Sequence, residues 1–107
     1  MPKYIPLTST VQVDELVRES EDRPVAFFKH STTCSISSLA KARLDRAVGG
    51  ADAEVYLLDL LRFRQVSDYL AEVSGVRHES PQLLVFRGGE VVYEGSHLDI
   101  DASNVLG

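Results

Sequence analysis

The sequence predicts an α/β fold in which a central mixed sheet of about four strands is flanked by helices. Strand-like and helix-like hydrophobic patterns alternate along the chain, which favours parallel strands joined by crossover helices. Nearer the carboxyl end, two strand-like runs meet at Gly88-Gly89, a strong signal for an antiparallel hairpin. The 107 residues contain no linker-like segment, so we expect a single domain over 1–107.

A helix and a central strand are predicted in the first part of the chain. Ser9 and Gln12 have capping-box spacing, and the following apolar stripe predicts a helix that ends near Ser20. The stripe consists of Val13, Leu16 and Val17. The continuous apolar run 25–28 predicts a strand buried on both faces, and Tyr4-Ile5 has the pattern of a short additional strand.

A second helix is predicted from Ser35 to the Gly49-Gly50 pair. Apolar residues at helical spacing predict its inner face: Ile36, Leu39, Ala40, Leu44, Ala47 and Val48. Cationic residues lie largely between them and are expected to form the solvated face: Lys41, Arg43 and Arg46.

The remaining elements are a strand, a helix and the hairpin. The run 54–60 predicts another buried strand, and Asp59 near its end is interpreted as a helix cap, the alternative being a carboxylate beneath the active site. The third helix is expected to end at Gly75, with Phe63, Val66, Leu70 and Val73 on its inner face. The hairpin strands are predicted over 82–87 and 90–94, and Asp99 or Asp101 is expected to cap a short final helix.

Composition excludes several classes of function. A net charge of −5 and a pI near 5.1 argue against general binding of nucleic acid or anionic membranes, which requires clustered positive charge. No segment has the pattern of a signal peptide or a membrane span, so we expect a cytoplasmic protein. The single cysteine cannot form an internal disulfide.

That cysteine, Cys34, is the main candidate for chemistry. It lies where a strand pattern gives way to a helix pattern, and the amino terminus of a helix favours the thiolate over the thiol. Ser37 occupies the second position of a Cys-X-X-Cys pair, and a hydroxyl cannot form a disulfide. An external thiol would therefore have to release whatever Cys34 captures. Such chemistry needs no metal and no organic cofactor.

The predicted order of elements is that of the thioredoxin fold. In that fold a reactive cysteine starts the helix after the first central strand, and a cis-proline before the hairpin lies against it. Cys34 occupies the first position and Pro81 the second. We therefore expect a cis Ser80-Pro81 bond and contact between Pro81 and Cys34.

The segment 29–37, Lys-His-Ser-Thr-Thr-Cys-Ser-Ile-Ser, together with 79–82, Glu-Ser-Pro-Gln, resembles the monothiol bacilliredoxin (YtxJ-like) family over essentially the whole chain. The resemblance implies a thioredoxin-like oxidoreductase that removes bacillithiol from mixed disulfides on other proteins, with Cys34 as the attacking group. The family motif usually has proline where this chain has Ser35, and proline would restrain the first helical turn.

Other residues near the motif have two interpretations each. Thr33 and Ser37 either cap the helix alone or also support the thiolate, alongside Ser35 and Ile36 in the motif. Lys29 and His30 are expected to face solvent at the strand end, the alternative being that they raise the local positive potential. The loop before Pro81 should flank the cysteine, so Ser80, Pro81, Arg77 and His78 are the predicted substrate-binding residues.

Three hypotheses about function follow. The favoured one is a monothiol disulfide oxidoreductase acting on mixed disulfides of bacillithiol or a similar small thiol, with a second thiol or redox protein for recycling. The second is a non-catalytic adaptor that uses the cis-proline surface while Cys34 is inert. The third is an iron–sulfur carrier of the monothiol glutaredoxin kind, whose usual Cys-Gly-Phe-Ser motif is not matched by Ser35-Ile36.

Overall fold

The computed structural model describes residues 3–31, 35–48 and 53–106, and its core is a five-stranded sheet between helices. In chain order the main elements are β1 (Lys3–Pro6), α1 (Thr10–Glu19), β2 (Val25–His30), α2 (Ser35–Val48), β3 (Glu54–Asp59), α3 (Arg64–Ser74), β4 (Gln82–Arg87) and β5 (Glu90–Ser96). Two short 3₁₀ turns follow, His97–Asp99 and Ala102–Leu106.

The strands lie in the order β1-β3-β2-β4-β5, with β2 at the centre. β3 pairs in parallel with both β1 and β2, whereas β4 pairs antiparallel with β2 and with β5. The predicted mixed sheet is confirmed, and the short segment around Tyr4-Ile5 supplies the fifth strand. This topology brings the end of β2 beside the start of β4, where Lys29 pairs with Gln82.

Apolar side chains cover both faces of the sheet, as the continuous apolar runs predict. Helices α1 and α3 pack on one face around Leu7, Val13, Leu16, Phe27, Leu58, Val66, Leu70 and Phe86. Helix α2 and the carboxyl-terminal turn pack on the other around Phe28, Ala40, Leu44, Val55, Leu83 and Val105. Alternate residues of β2 therefore point to different layers.

Helix α1 has the predicted amino-terminal cap. The Ser9 hydroxyl accepts a hydrogen bond from the backbone N–H of Gln12 at 3.2 Å. The Gln12 side chain accepts from the N–H of Thr8 at 3.0 Å, one residue before the position expected for a capping box. These bonds satisfy donors that the first helical turn leaves unpaired.

The interpretation of Asp59 as the cap of α3 is wrong. Its carboxylate accepts from the N–H of Leu61 at 3.2 Å, so it holds the turn after β3. The helix begins only at Arg64, and Phe63 precedes it without a side-chain cap. At the other end Gly75 closes the helix as predicted, with a left-handed φ of 69°.

Helix α2 has the predicted bounds, but only part of its predicted inner face is buried. Ala40 and Leu44 are buried as predicted, whereas Ile36 and Leu39 are 41% and 42% exposed and Ala47 is also exposed. Ser37, which is not predicted on this face, is buried, so the buried side of the helix runs through positions 37, 40 and 44. Val73 of α3 is likewise exposed, against the prediction.

The carboxyl-terminal part extends the prediction slightly. β5 continues to Ser96, two residues beyond the predicted end, and the Asp101 carboxylate caps the last turn by accepting from the N–H of Ser103 at 3.1 Å. That turn is a 3₁₀ helix. No helix in the described part of the chain is long and apolar enough to cross a membrane.

Candidate active site

The strand-to-helix junction after β2 is where the sequence predicts the reactive cysteine. β2 ends at His30 and α2 begins at Ser35, so Cys34 is the residue directly before the helix. Thr33 and Cys34 lie outside the described residues, and their roles stay predictions. The neighbouring side chains of Ser35 and Ile36 are exposed.

Ser37 connects the start of α2 to the end of the strand. Its side chain is fully buried, and its hydroxyl oxygen accepts a hydrogen bond from the backbone N–H of Ser31 at 3.2 Å. The bond joins residues on either side of the segment that carries Cys34. The hydroxyl therefore holds the two ends of this segment together, in addition to any role toward the thiol.

The loop before β4 has the predicted cis-proline. The Ser80-Pro81 peptide bond is cis, and the Pro81 carbonyl accepts from the N–H of His97 at 2.8 Å. Pro81 is buried and directly precedes Gln82, the partner of Lys29 across β2 and β4. The loop is thus placed at the end of the sheet where β2 stops. The predicted contact with Cys34 lies outside the described residues.

Lys29 does not face solvent, so that expectation is wrong. The strand continues two residues past the apolar run, and alternation turns Lys29 into the layer of Phe27 beneath α3. Its side chain is fully buried, and its Nζ lies 3.3 Å from Nδ1 of His78. Burial lowers the pKa of Lys29 to about 8, while Asp68 acts in the opposite direction.

His78 completes a small polar cluster with Lys29 and Ser67. Its Nδ1 lies 3.2 Å from the Ser67 hydroxyl as well as near the lysine ammonium. An ammonium has only donors, so Nδ1 accepts and the ring proton is assigned to Nε2. Burial, followed by the charges of Lys29 and Arg64, lowers the pKa of His78 and keeps the ring neutral. Arg77, the other predicted contact for an anionic thiol, is exposed.

His30 is half-buried, again contrary to the expected exposure. Its ring stacks on Phe28 with centroids 6.0 Å apart, and burial lowers its pKa. It lines a cavity of about 320 Å³ at the ends of β1 and β3, together with Asp59 and Arg62. The alternative, that Lys29 and His30 raise the positive potential at the motif, stays a prediction because Cys34 lies outside the described residues.

A larger cleft lies on the other side of the Pro81 loop. Its volume is about 430 Å³, and it lies between the carboxyl end of α3, the loop after it, and β5. The side chains that line it include Arg77, Glu79, Gln82, Glu94 and Asp99. Glu79 also makes a 3.5 Å contact with His97, which joins the loop to the turn after β5.

Replacing Lys29 with methionine is expected to raise the free energy of unfolding at neutral pH, because burial disfavours the ammonium in the folded chain. The pKa falls from its ordinary 10.5 to about 8 on folding, so the unfolded chain holds more protons between these values and wild-type stability rises there with pH. The advantage of Lys29→Met should shrink across that range in urea unfolding.

The control is Arg87→Met, which removes an exposed cation at the far end of β4. Arginine stays charged throughout the range, so its replacement should give a difference that does not change with pH. A Lys29→Met difference that is constant between pH 7 and 10.5 would contradict the buried-ammonium interpretation.

Sequence reasoning missed the inward direction of Lys29 and gave Gln82 no role. A signal for Lys29 was present: strand alternation from Phe27 points to the same layer two residues later. The contact with His78 spans 49 residues, and no local pattern encodes it.

Comparisons with known proteins agree with this architecture. A family model for the monothiol bacilliredoxin BrxC matches residues 5–105. A solved structure described as a proposed oxidoreductase with a thioredoxin fold is 35% identical, with a TM-score of 0.84 and coverage of 96% of this chain and 90% of that one.

More distant structures share the fold. A thioredoxin variant from Halobacterium salinarum NRC-1 is 21% identical, with a TM-score of 0.67 and coverage of 96% of this chain and 84% of that one. Thioredoxin from Schistosoma mansoni is 14% identical, with a TM-score of 0.71 and coverage of 97% and 90%. The family match over nearly the whole chain, the structure at 35% identity and the five-stranded sheet lead to one conclusion: the chain belongs to the monothiol bacilliredoxin BrxC family and is a thiol oxidoreductase with a thioredoxin fold.

Proposed function

We propose that this protein removes bacillithiol, or a similar low-molecular-weight thiol, from mixed disulfides on other proteins through Cys34. The observation that carries the proposal is the start of α2 at Ser35, immediately after the one cysteine of the chain. Membership of the monothiol bacilliredoxin family supports the same chemistry. The cytoplasm suits this reaction, because its reducing conditions keep a lone thiol free.

The proposed reaction is a thiol–disulfide exchange in two steps. The Cys34 thiolate attacks the sulfur of the small thiol, a new S–S bond forms, and the original S–S bond breaks. The substrate cysteine leaves as a thiolate and takes a proton from solvent. A second low-molecular-weight thiolate, or the thiolate of a redox protein, then attacks the adduct on Cys34 and carries the small thiol away as a disulfide. Cys34 leaves as a thiolate, so the external thiols supply the electrons.

One feature of the described chain favours the thiolate. α2 has 14 residues, and its amino terminus presents unpaired N–H groups and the positive end of its dipole to the residue before it. Positive charge near a cysteine lowers the pKa of its thiol.

Substrate is proposed to bind along the loop before β4, at Arg77, His78, Ser80 and Pro81. The assigned Nε2–H of His78 is a hydrogen-bond donor for the substrate, and the exposed Arg77 guanidinium offers a second. In the motif, Thr33, Ser35, Ile36 and Ser37 would support the helix start. The Ser31 to Ser37 bond is the described contact that fixes this region.

Mass spectrometry of a single turnover tests the proposal. The wild-type protein is mixed with an equal amount of a carrier protein whose one cysteine bears a small thiol. We expect the mass of one small thiol to move to the chain and to stay there, because Ser37 cannot resolve the adduct. Adding free small thiol should then restore the original mass.

Transfer of the whole carrier instead of the small thiol would show that Cys34 attacks the sulfur of the carrier's cysteine. That result would contradict removal of the small thiol by Cys34. Absence of any adduct, with slow alkylation of Cys34 like that of an ordinary exposed thiol, would favour the non-catalytic adaptor.

A further inference from the structure

Gln82, one of the residues that line the 430 Å³ cleft beside the Pro81 loop, has a buried acceptor without a donor among the described residues. Gln82 is 2% exposed and lines the cleft. Its Nε2 donates to the Arg77 carbonyl at 3.0 Å, which fixes the orientation of the amide. Its Oε1 is buried and has no hydrogen-bond partner among residues 3–31, 35–48 and 53–106. A buried acceptor without a donor is unfavourable, so this oxygen favours a ligand that donates a hydrogen bond.

The rest of the lining favours a cation. The lining has three carboxylates, of Glu79, Glu94 and Asp99, and one guanidinium, of Arg77, so its formal net charge is −2. Gly75 and Val76 also line the cleft, so the carboxyl end of the 11-residue helix α3 borders it. The carboxyl end of a helix carries partial negative charge and attracts cations.

The acceptors suit an organic ammonium better than a metal ion. In the described segments, no group of three or more His, Asp or Glu side chains is arranged to hold a metal. The cleft offers one amide oxygen and carboxylates on separate segments of the chain. An ammonium group has three N–H donors, so each can be directed to a different acceptor. An anionic group would meet the carboxylates unfavourably.

The cleft lies at the end of the sheet that serves the proposed reaction. Gln82 follows Pro81 directly and pairs with Lys29, two residues before Ser31. The segment 32–34 continues from there to α2. The inference requires that a group carried near the reacting sulfur enters the cleft while the sulfur meets Cys34, which follows Ser31 by three residues in the sequence.

We propose that this cleft selects the thiol adduct by binding a primary ammonium group that the adduct carries near its sulfur. The inference rests on the proposed function and adds a specificity site to it. Gln82 Oε1 accepts one N–H of the ammonium, and Glu94 with its neighbouring carboxylates supplies the attraction.

Three mixed disulfides of one carrier protein test the inference. The adducts are cysteamine, 2-mercaptoethanol and 3-mercaptopropionate, which place an ammonium, a hydroxyl or a carboxylate two carbons from sulfur. Each kcat/KM is divided by the rate of the same disulfide with dithiothreitol, which removes intrinsic reactivity. We expect cysteamine to be favoured over 2-mercaptoethanol by roughly tenfold or more, as for one charge-assisted hydrogen bond, and 3-mercaptopropionate to be the poorest.

Variants test whether the preference for cysteamine depends on residues of the cleft. Gln82→Met removes the acceptor, and Glu94→Gln removes one charge from an exposed side chain, so the second variant remains informative if the first fails to fold. Each should bring the cysteamine to 2-mercaptoethanol ratio closer to one. Glu90→Gln, at the opposite end of β5 and exposed, is the matched control and should leave the ratio as in wild type.

Different outcomes contradict the ammonium site and the proposed function. Equal normalised rates for the three adducts, with turnover still dependent on Cys34, overturn the ammonium site and leave the proposed function standing. A ratio that both variants leave unchanged also overturns it. Acetylating the carrier's lysines should leave the preference for cysteamine unchanged. If acetylation abolishes the preference, the cleft binds an ammonium of the carrier and not of the adduct, and the inference is wrong. Turnover by Cys34→Ser at the wild-type rate would refute the proposed function itself.

Discussion

Replacing Cys34 with alanine is expected to reduce the rate at which the small thiol is removed from the carrier to the rate measured without the enzyme. The chain has one cysteine, so the variant lacks any sulfur that can form the new S–S bond. The measurement is the steady-state rate at which the free thiol of a single-cysteine carrier appears, with excess small thiol for recycling. Ser37→Ala should keep the reaction at a lower rate.

For Ser37→Ala we expect a loss of roughly two- to tenfold, the value of one hydrogen bond. The variant removes the acceptor for the Ser31 N–H, which joins β2 to α2, but it keeps the nucleophile. Its folded state should be verified by denaturant unfolding, since the variant lacks the Ser31–Ser37 hydrogen bond. A Cys34→Ala variant that releases the small thiol as fast as wild type would refute the catalytic role of Cys34.

Much of the fold follows from local pattern. Continuous apolar runs give β2 and β3, the glycine pair gives the hairpin, and Ser9 gives the start of α1 because each signal acts within a few residues. The inner face of α2 does not follow in this way. Ile36 and Leu39 fit a helical stripe together with Ala40 and Leu44, yet they are exposed, and Ser37 is buried in their place. Which side of a helix meets a sheet is decided by packing, which periodicity describes only approximately.

The candidate site, too, could be predicted from the sequence only in part. The cis bond before Pro81 could be expected from the fold, because the proline precedes the hairpin. The Lys29–His78–Ser67 cluster could not, since it joins three elements through tertiary contacts. The unpaired oxygen of Gln82 was equally hidden, because a glutamine in an apolar strand carries no sequence signal about its partners. Distant contacts therefore add both the buried charge and the cleft to what the motif alone predicts.

The largest effect on stability is expected at Phe27, which lies in the central strand and is fully buried. Its ring meets Phe86 edge to face at a centroid distance of 5.3 Å and lies 6.1 Å from Tyr56, so it joins three strands in the layer beneath α1 and α3. Truncating such a ring to a methyl group leaves a cavity and removes aromatic contacts. Phe27→Ala should lower the free energy of unfolding by about 3–5 kcal/mol.

Because small domains are stable by only about 5–15 kcal/mol, this loss is a large share of the total and should be plain in urea unfolding followed by circular dichroism. Val11→Ala is the matched control: Val11 is 63% exposed on α1, so its truncation should change the free energy by no more than about 0.5 kcal/mol. A Phe27→Ala loss below about 1 kcal/mol would mean that the layer closes around the missing ring, and Phe27 would then not be the packing centre of this core.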